Sequence, residues 1–270
     1  MRRFELLNAN GEVWNLTEEK SFLQAPKMTT ERKISYIQAG NTSMKTEDYL
    51  KQKCFQAQVV FEGYELYDKF CYFIQYRPLE LVYTAAGRYH MQIEIEKLTK
   101  TELEDAGLIV DMTIRGVTTW YQKIWLENVT SAAGKRYPYT YPYTYSDMAQ
   151  GSIEFESNSV EASPIRLSIV GPCLNPEWEI YTNGIKRADG KVLCSIPQGH
   201  RLIVDATKIP YEIAEYDSCG VYVKSWYQSS DFSTIRFLHA GCGKNKVVCR
   251  HELTTVMKMG VEVRIEYAAV

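Results

Sequence analysis

The chain has 270 residues, 45% of them apolar and 24% charged, with 31 basic against 33 acidic side chains. That composition belongs to a globular protein long enough for one large domain or two ordinary ones, and it excludes a disordered tail. No basic half or stripe marks nucleic-acid binding as the main task, and no apolar run approaches the 18 residues of a membrane-spanning helix.

The N-terminus, Met1-Arg2-Arg3-Phe4-Glu5, leads into no apolar stretch, so no secretory leader is expected. Residues 4–16 read as a hairpin turning at Asn8-Ala9-Asn10-Gly11. Residues 17–53 are polar and weakly patterned; they are expected to be mainly loop or a long arm, with a strand at Arg32–Gln38. From Tyr64 to Gln75 the spacing of Tyr67, Phe70, Cys71 and Ile74 predicts a helix, which Arg77-Pro78 ends. Its aromatic face should pack on a sheet. Strict alternation then predicts strands at Tyr89–Glu96 and Leu108–Ile114, and β-branched and aromatic residues a third at Val117–Trp125.

The repeat Pro138-Tyr139-Thr140-Tyr141, Pro142-Tyr143-Thr144-Tyr145 forbids a helix and suggests an extended linker, which places a domain boundary within about residues 135–150. Beyond it the sequence predicts short strands at 152–156, 165–170, 177–182, 191–196, 201–205, 221–224, 233–238, 246–250 and 261–267. Turn signals such as Asn183-Gly184 and Gly199 separate them, the pattern of a β-sandwich.

Chemistry-bearing motifs are scarce. There is no nucleophile elbow, phosphate loop or His-Glu-x-x-His helix. His239, Cys242, Cys249 and His251 are the residue types of a tetrahedral zinc site. The strand parity of His239 and Cys242 differs, however, and buried reduced thiols are the plainer reading; the seven cysteines, odd in number, fit a cytosolic origin. Glu94 with Glu96, and Glu154 with Glu156, could pair for acid–base work, but their apolar neighbours point the other way, as on a solvated face. Trp178, Trp226 or Tyr227 could stack a sugar, but core or interface packing is the plainer account of each; the Tyr-Pro repeat could stack a sugar or a single strand, but a stiff linker or interface strand is the plainer account. The residues themselves assign no catalytic, cofactor-binding or metal site.

Several segments, in order, resemble the distal tail proteins of siphophages that infect Gram-positive bacteria. They are Phe4–Gly11, the aromatic helix Phe61–Phe70, Leu79–Tyr83, and Lys100–Leu103 leading through Gly107-Leu108 to Thr119–Tyr121. In the second half, Ile169–Pro176 is similar to the family's glycine-proline-x-x-asparagine-proline turn, and Gly199–Asp205 to a strand of the form G-x-x-L-x-I-D. The chain departs at Ala25–Lys45, where Pro26 is followed by Lys27-Met28-Thr29 rather than a glycine-rich turn.

The resemblance implies a mainly β protein. An N-terminal β-sandwich or split-barrel-like ring domain with one helix would span residues 1–145, and a C-terminal galectin-like β-sandwich residues 146–270. It implies a homohexameric ring at the virion tail tip, assembled in the host cytoplasm. The ring would join the tail tube protein to the hub or fibre protein, carry receptor-binding proteins at its rim, and let DNA through its lumen. No enzyme activity, cofactor or metal is implied. The alternative is a carbohydrate-binding sandwich for host cell-wall glycans.

Overall fold

A computed structural model describes residues 2–104, 107–130, 149–159, 162–231, 238–253 and 256–270. The chain divides into two compact units, residues 1–122 with 267–270, and residues 123–266. The Tyr-Pro repeat, and the expected boundary region up to residue 148, lie outside the described residues. The described structure is mainly β, as the patterning implies.

The first unit holds β1 (Arg3–Leu7), β2 (Val13–Asn15), β3 (Thr17–Glu18), β4 (Ser21–Thr29), β5 (Arg32–Ala39) and β6 (Thr42–Leu50). They are followed by β7 (Cys54–Phe61), α1 (Tyr64–Phe73), β8 (Leu79–Thr84), β9 (Arg88–Glu104), β10 (Gly107–Gly116) and the start of β11 (Trp120–Thr130). An antiparallel sheet runs β3-β4-β7-β10-β9-β8-β1-β2. It curls on itself, because Leu16 N donates to Phe4 O at 2.8 Å and Leu23 N to Leu16 O at 2.9 Å, tying its two ends. The period-two pattern of β10 buries Leu108, Val110, Met112 and Ile114 on one face. Helix α1 closes that core with Phe70, whose ring lies 5.3 Å from Trp14 and 5.2 Å from Phe61. Tilted and edge-on aromatic contacts of this kind add to the burial of apolar area.

The hairpin at the N-terminus forms where expected. The Asn8 side chain accepts from the backbone of Asn10 and Glu12, and Gly11 takes a positive φ of 77°. The expectation of mainly loop over residues 17–53 is corrected, since most of that stretch is strand. Its periodicity is hidden because β5 and β6 pair with each other alone among the described residues, so neither face is the wholly apolar one that reveals a strand.

The second unit contains β12 (Ala149–Ser157), β13 (Ser163–Val170), β14 (Cys173–Leu174), β15 (Glu177–Thr182), β16 (Ile185–Val192) and β17 (Ser195–Ile196). Then come β18 (Arg201–Asp205), β19 (Glu212–Tyr216), β20 (Tyr222–Ser225), β21 (Ser230–Asp231), β22 (His239–Ala240), β23 (Gly243–His251) and β24 (Met257–Tyr267). One sheet includes the run β20-β19-β18-β13-β24, the other is β12-β23-β15-β16-β21. Each buries one face: Leu167, Leu202 and Val263 from the first, Trp178, Ile180 and Val247 from the second. This is a β-sandwich.

Two strand expectations change here. The single strand at 191–196 is broken at Leu193 and Cys194, where Leu193 N turns away to Ser229 O at 2.9 Å. β19 has no counterpart among the expected strands. The strand expected at 233–238 lies, apart from Leu238, outside the described residues.

Candidate assembly surface

The hairpin β5–β6 departs most from a self-contained fold. Its register sets Lys33 opposite Tyr49, Ser35 opposite Glu47 and Ile37 opposite Met44, with one extra residue of β6 absorbed near Tyr36. One face therefore carries Ile37, Met44 and Tyr49, and the other Ile34 and Tyr36. Tyr36 is 61% exposed, and Ile37 and Met44 each 62%.

Cross-strand charges hold the hairpin's own geometry. Lys33 pairs with Glu47 at 2.7 Å, and Lys51 at its base pairs with Glu31 at 2.9 Å. Asp48 takes both Arg32 and Lys45. The hydrogen bond from Lys33 holds Glu47 below the usual carboxylate range, and Lys45 does the same for Asp48. Opposite charges facing across an antiparallel pair stabilise it modestly. A two-stranded ribbon is marginal in water by itself. Apolar side chains on both faces can be buried only against something outside the hairpin.

The other candidate residues fall elsewhere. Among the described residues, no group of three or more His, Cys, Asp or Glu side chains is arranged to hold a metal ion. The quartet is dispersed by its local structure. Cys242 is exposed in the turn before β23, whereas Cys249 is wholly buried and burial pushes its thiol well up. His251 is buried, and its Nδ1 accepts from Leu253 N at 3.1 Å. His239 sits on β22 opposite Pro164.

The acidic pairs lie on strand faces as expected, and three of the four carboxylates have basic partners. Glu94 meets Arg77 at 2.8 Å, Glu96 meets Arg115 at 2.7 Å and Glu154 meets Lys246 at 2.8 Å. Trp178 is a core residue packed over Gly190. The Trp226 indole donates to Glu215 at 3.0 Å and carries the Lys224 ammonium 3.8 Å above its ring, while Tyr227 is 39% exposed. Sequence reasoning found half of the hairpin, the strand at Arg32–Gln38, and missed its partner β6, whose side chains are almost all polar or exposed.

Comparison with known proteins bears on the same half of the chain. Residues 3–115 match the model of the distal tail protein N-terminal domain. No curated protein matches in sequence. Among solved structures, a chain of the phage P2 baseplate in its activated conformation with calcium is similar at a TM-score of 0.71, with 15% identity and 100% of both chains covered. The strontium form gives 0.70, with 14% identity over the same coverage. The crystal structure of the Dit protein of phage SPP1, a hub of the adsorption apparatus, gives 0.55, with 11% identity over 96% of this chain and 98% of that one. At these identities the likeness is one of fold, and it extends through the second unit. Residues 3–115 thus match the distal tail protein N-terminal domain, and the chain shares along its length the fold of the baseplate and hub chains to which it is similar.

Proposed function

We propose that the chain is a structural baseplate hub protein at the tail tip of a siphophage, and that it assembles head to tail into a six-membered ring. The ring joins the tail tube to the tail-tip hub or fibre and lets DNA pass through its lumen. Residues 1–145 act as the ring domain, and residues 146–270 stand outside as a galectin-like sandwich to which receptor-binding proteins attach. The subunits assemble in the host cytoplasm. The role needs no catalysis, cofactor or metal.

The exposed hairpin β5–β6 is the observation that carries this reading. A closed ring of identical subunits needs two different, complementary surfaces on each copy. A projecting hairpin with apolar side chains on both faces supplies one of them. Covering it against the next copy would also protect unpaired strand edges from indiscriminate association.

Negative-stain microscopy of the purified full chain, alone and mixed with its tube partner, tests the proposal. Six-fold rings are expected in at least one of the two. A monomer in both overturns it.

A further inference from the structure

The N-terminal unit is made from two runs of chain, residues 1–122 and residues 267–270. The second run is short, yet it fills a place in the unit. The Tyr267 ring packs against the core of the first unit, with Tyr89 edge-on beside it. Its hydroxyl reaches the Gln122 side chain, and the carbonyl of Ala268 accepts from the Lys53 ammonium. A segment at the edge of a domain stays ordered where it is tied down in this way.

Lys53 shows what the tie does. It is 6% exposed, and burial pulls its pKa below the usual lysine range. Among the described residues, the carbonyl of Ala268 is its hydrogen-bond acceptor. With residues 267–270 lifted, the ammonium loses that acceptor and must either move to water or stay buried unpaired, which is costly. Lys53 stands between β6 and β7, at the foot of the hairpin β5–β6. Its carbonyl accepts from Gly116 N at 2.9 Å, and the neighbouring Gln52 side chain donates to Gly116 O at 3.2 Å. Across the foot, Lys51 N donates to Glu31 O at 2.9 Å. A shift of Lys53 therefore loosens the bonds that aim the hairpin.

Chain order supplies the rest. Residues 267–270 continue β24, whose Val261 and Val263 are buried opposite Leu167 and Ile165 of β13 in the second unit. Residues 1–122 are synthesised first, and domains fold in the order in which they are made. The first unit's last piece arrives only with β24, and β24 is held in line only when the second unit has formed. We propose that residues 267–270 are a strap that fixes the foot of the hairpin β5–β6 only once the second unit is folded, so that unfinished or misfolded chains are kept from joining an assembly. A contact surface that is properly set in only a fraction of molecules binds its partner more weakly by that fraction. The consequence for assembly rests on the ring reading; the strap itself does not.

Hydrogen–deuterium exchange of the full chain, read by mass spectrometry at matched oligomeric state, tests the proposal. The reporters are the amides of Lys51 and Gly116. Both are expected to exchange at least fivefold faster in Tyr267→Ala and in Lys53→Met, while the amides of β13 and β18 keep the parent rate. Val263→Asp places a carboxylate in the core of the second unit, and Val263→Ala is its milder counterpart. In these the reporters should quicken together with β13 and β18, although no residue of the first unit is altered. Reporters that hold the parent rate in both strap variants, or quicken there no more than β13 and β18 do, overturn the proposal. So do reporters that hold it in a Val263 variant whose β13 and β18 amides have quickened. Exchange is read with or without rings, so its failure leaves the ring reading standing, and a failure to find rings by microscopy leaves the strap standing.

Discussion

The hydroxyl of Tyr267 donates to Oε1 of Gln122 at 2.7 Å. Gln122 ends the first run of the N-terminal unit, and Tyr267 is where the chain returns to it. The two points at which the backbone leaves and re-enters the unit are thus fastened to each other. Tyr267 also packs edge-on against Tyr89, at 5.3 Å and 88°, and the buried Lys53 donates to the carbonyl of Ala268. Tyr267→Phe, which loses only the hydrogen bond, is expected to lower stability by about 1 kcal/mol. Tyr267→Ala should cost about 2–4 kcal/mol, since the ring contact goes as well. Urea unfolding of the two variants checks this. A Tyr267→Phe variant as stable as the parent would show that the hydroxyl contributes nothing, and equal losses in the two variants would show the same of the ring contact.

His251 gives a pH dependence whose sign follows from its burial. Its side chain is fully buried, Nε2 has no hydrogen-bond partner among the described residues, and burial holds its pKa below the ordinary histidine value of 6.5. As pH falls through 6.5 the unfolded chain takes up a proton that the folded chain still refuses. The unfolded state then binds more protons, so stability declines with falling pH until the lower native value is passed. In His251→Gln that part of the decline should vanish. Unfolding free energies measured at pH 7.5, 6.5 and 5.5 decide it, and identical pH slopes in the two proteins would rule His251 out as the source.

The turn through Gly171 and Pro172 tolerates no side chain at its first position. A Cβ on Gly171 would stand 2.1 Å from the carbonyl oxygen of Pro197 and 2.8 Å from that of Ile196. Both obstacles are backbone, which cannot swing aside as a side-chain tip can. The same turn carries Asn175 at a positive φ of 48°, with its amide donating to Glu252 at 2.9 Å. Gly171→Ala is expected to cost about 2–4 kcal/mol, in the range of overpacking and strain. A thermal midpoint within a degree of the parent would contradict the geometry.

The parts of this fold that were legible in the sequence share one property, a single wet face and a single dry one. Leu108–Ile114 and Glu177–Thr182 alternate cleanly, and each is a strand. β19 fails the test for a physical reason. Its Glu215 is buried where an apolar residue would complete the pattern, because His200 Nδ1 at 2.7 Å and the Trp226 indole at 3.0 Å take its two oxygens. A buried carboxylate satisfied by residues 11 and 15 positions away leaves no local signature. Glu154 reads as a solvated charge until cross-strand pairing sets Lys246 and Tyr181 beside it.

The hairpin β5–β6 supplies the last prediction. Ile37 and Met44 face each other across the pair and are exposed, so neither contributes to the core of its own subunit. Substituting both, Ile37→Lys with Met44→Lys, is therefore expected to change the stability of the isolated subunit by no more than about 0.5 kcal/mol per site. The same change would place two ammonium groups in a contact that buries apolar surface, where an unpaired charge is costly. Assembly should be lost while the fold is kept. Light scattering coupled to size-exclusion chromatography reads the mass, and circular dichroism the fold. Rings that persist in the double variant would move the assembly contact away from this face of the hairpin. Ile34→Lys with Tyr36→Lys, on the opposite face, would then show which side of the hairpin the neighbouring subunit covers.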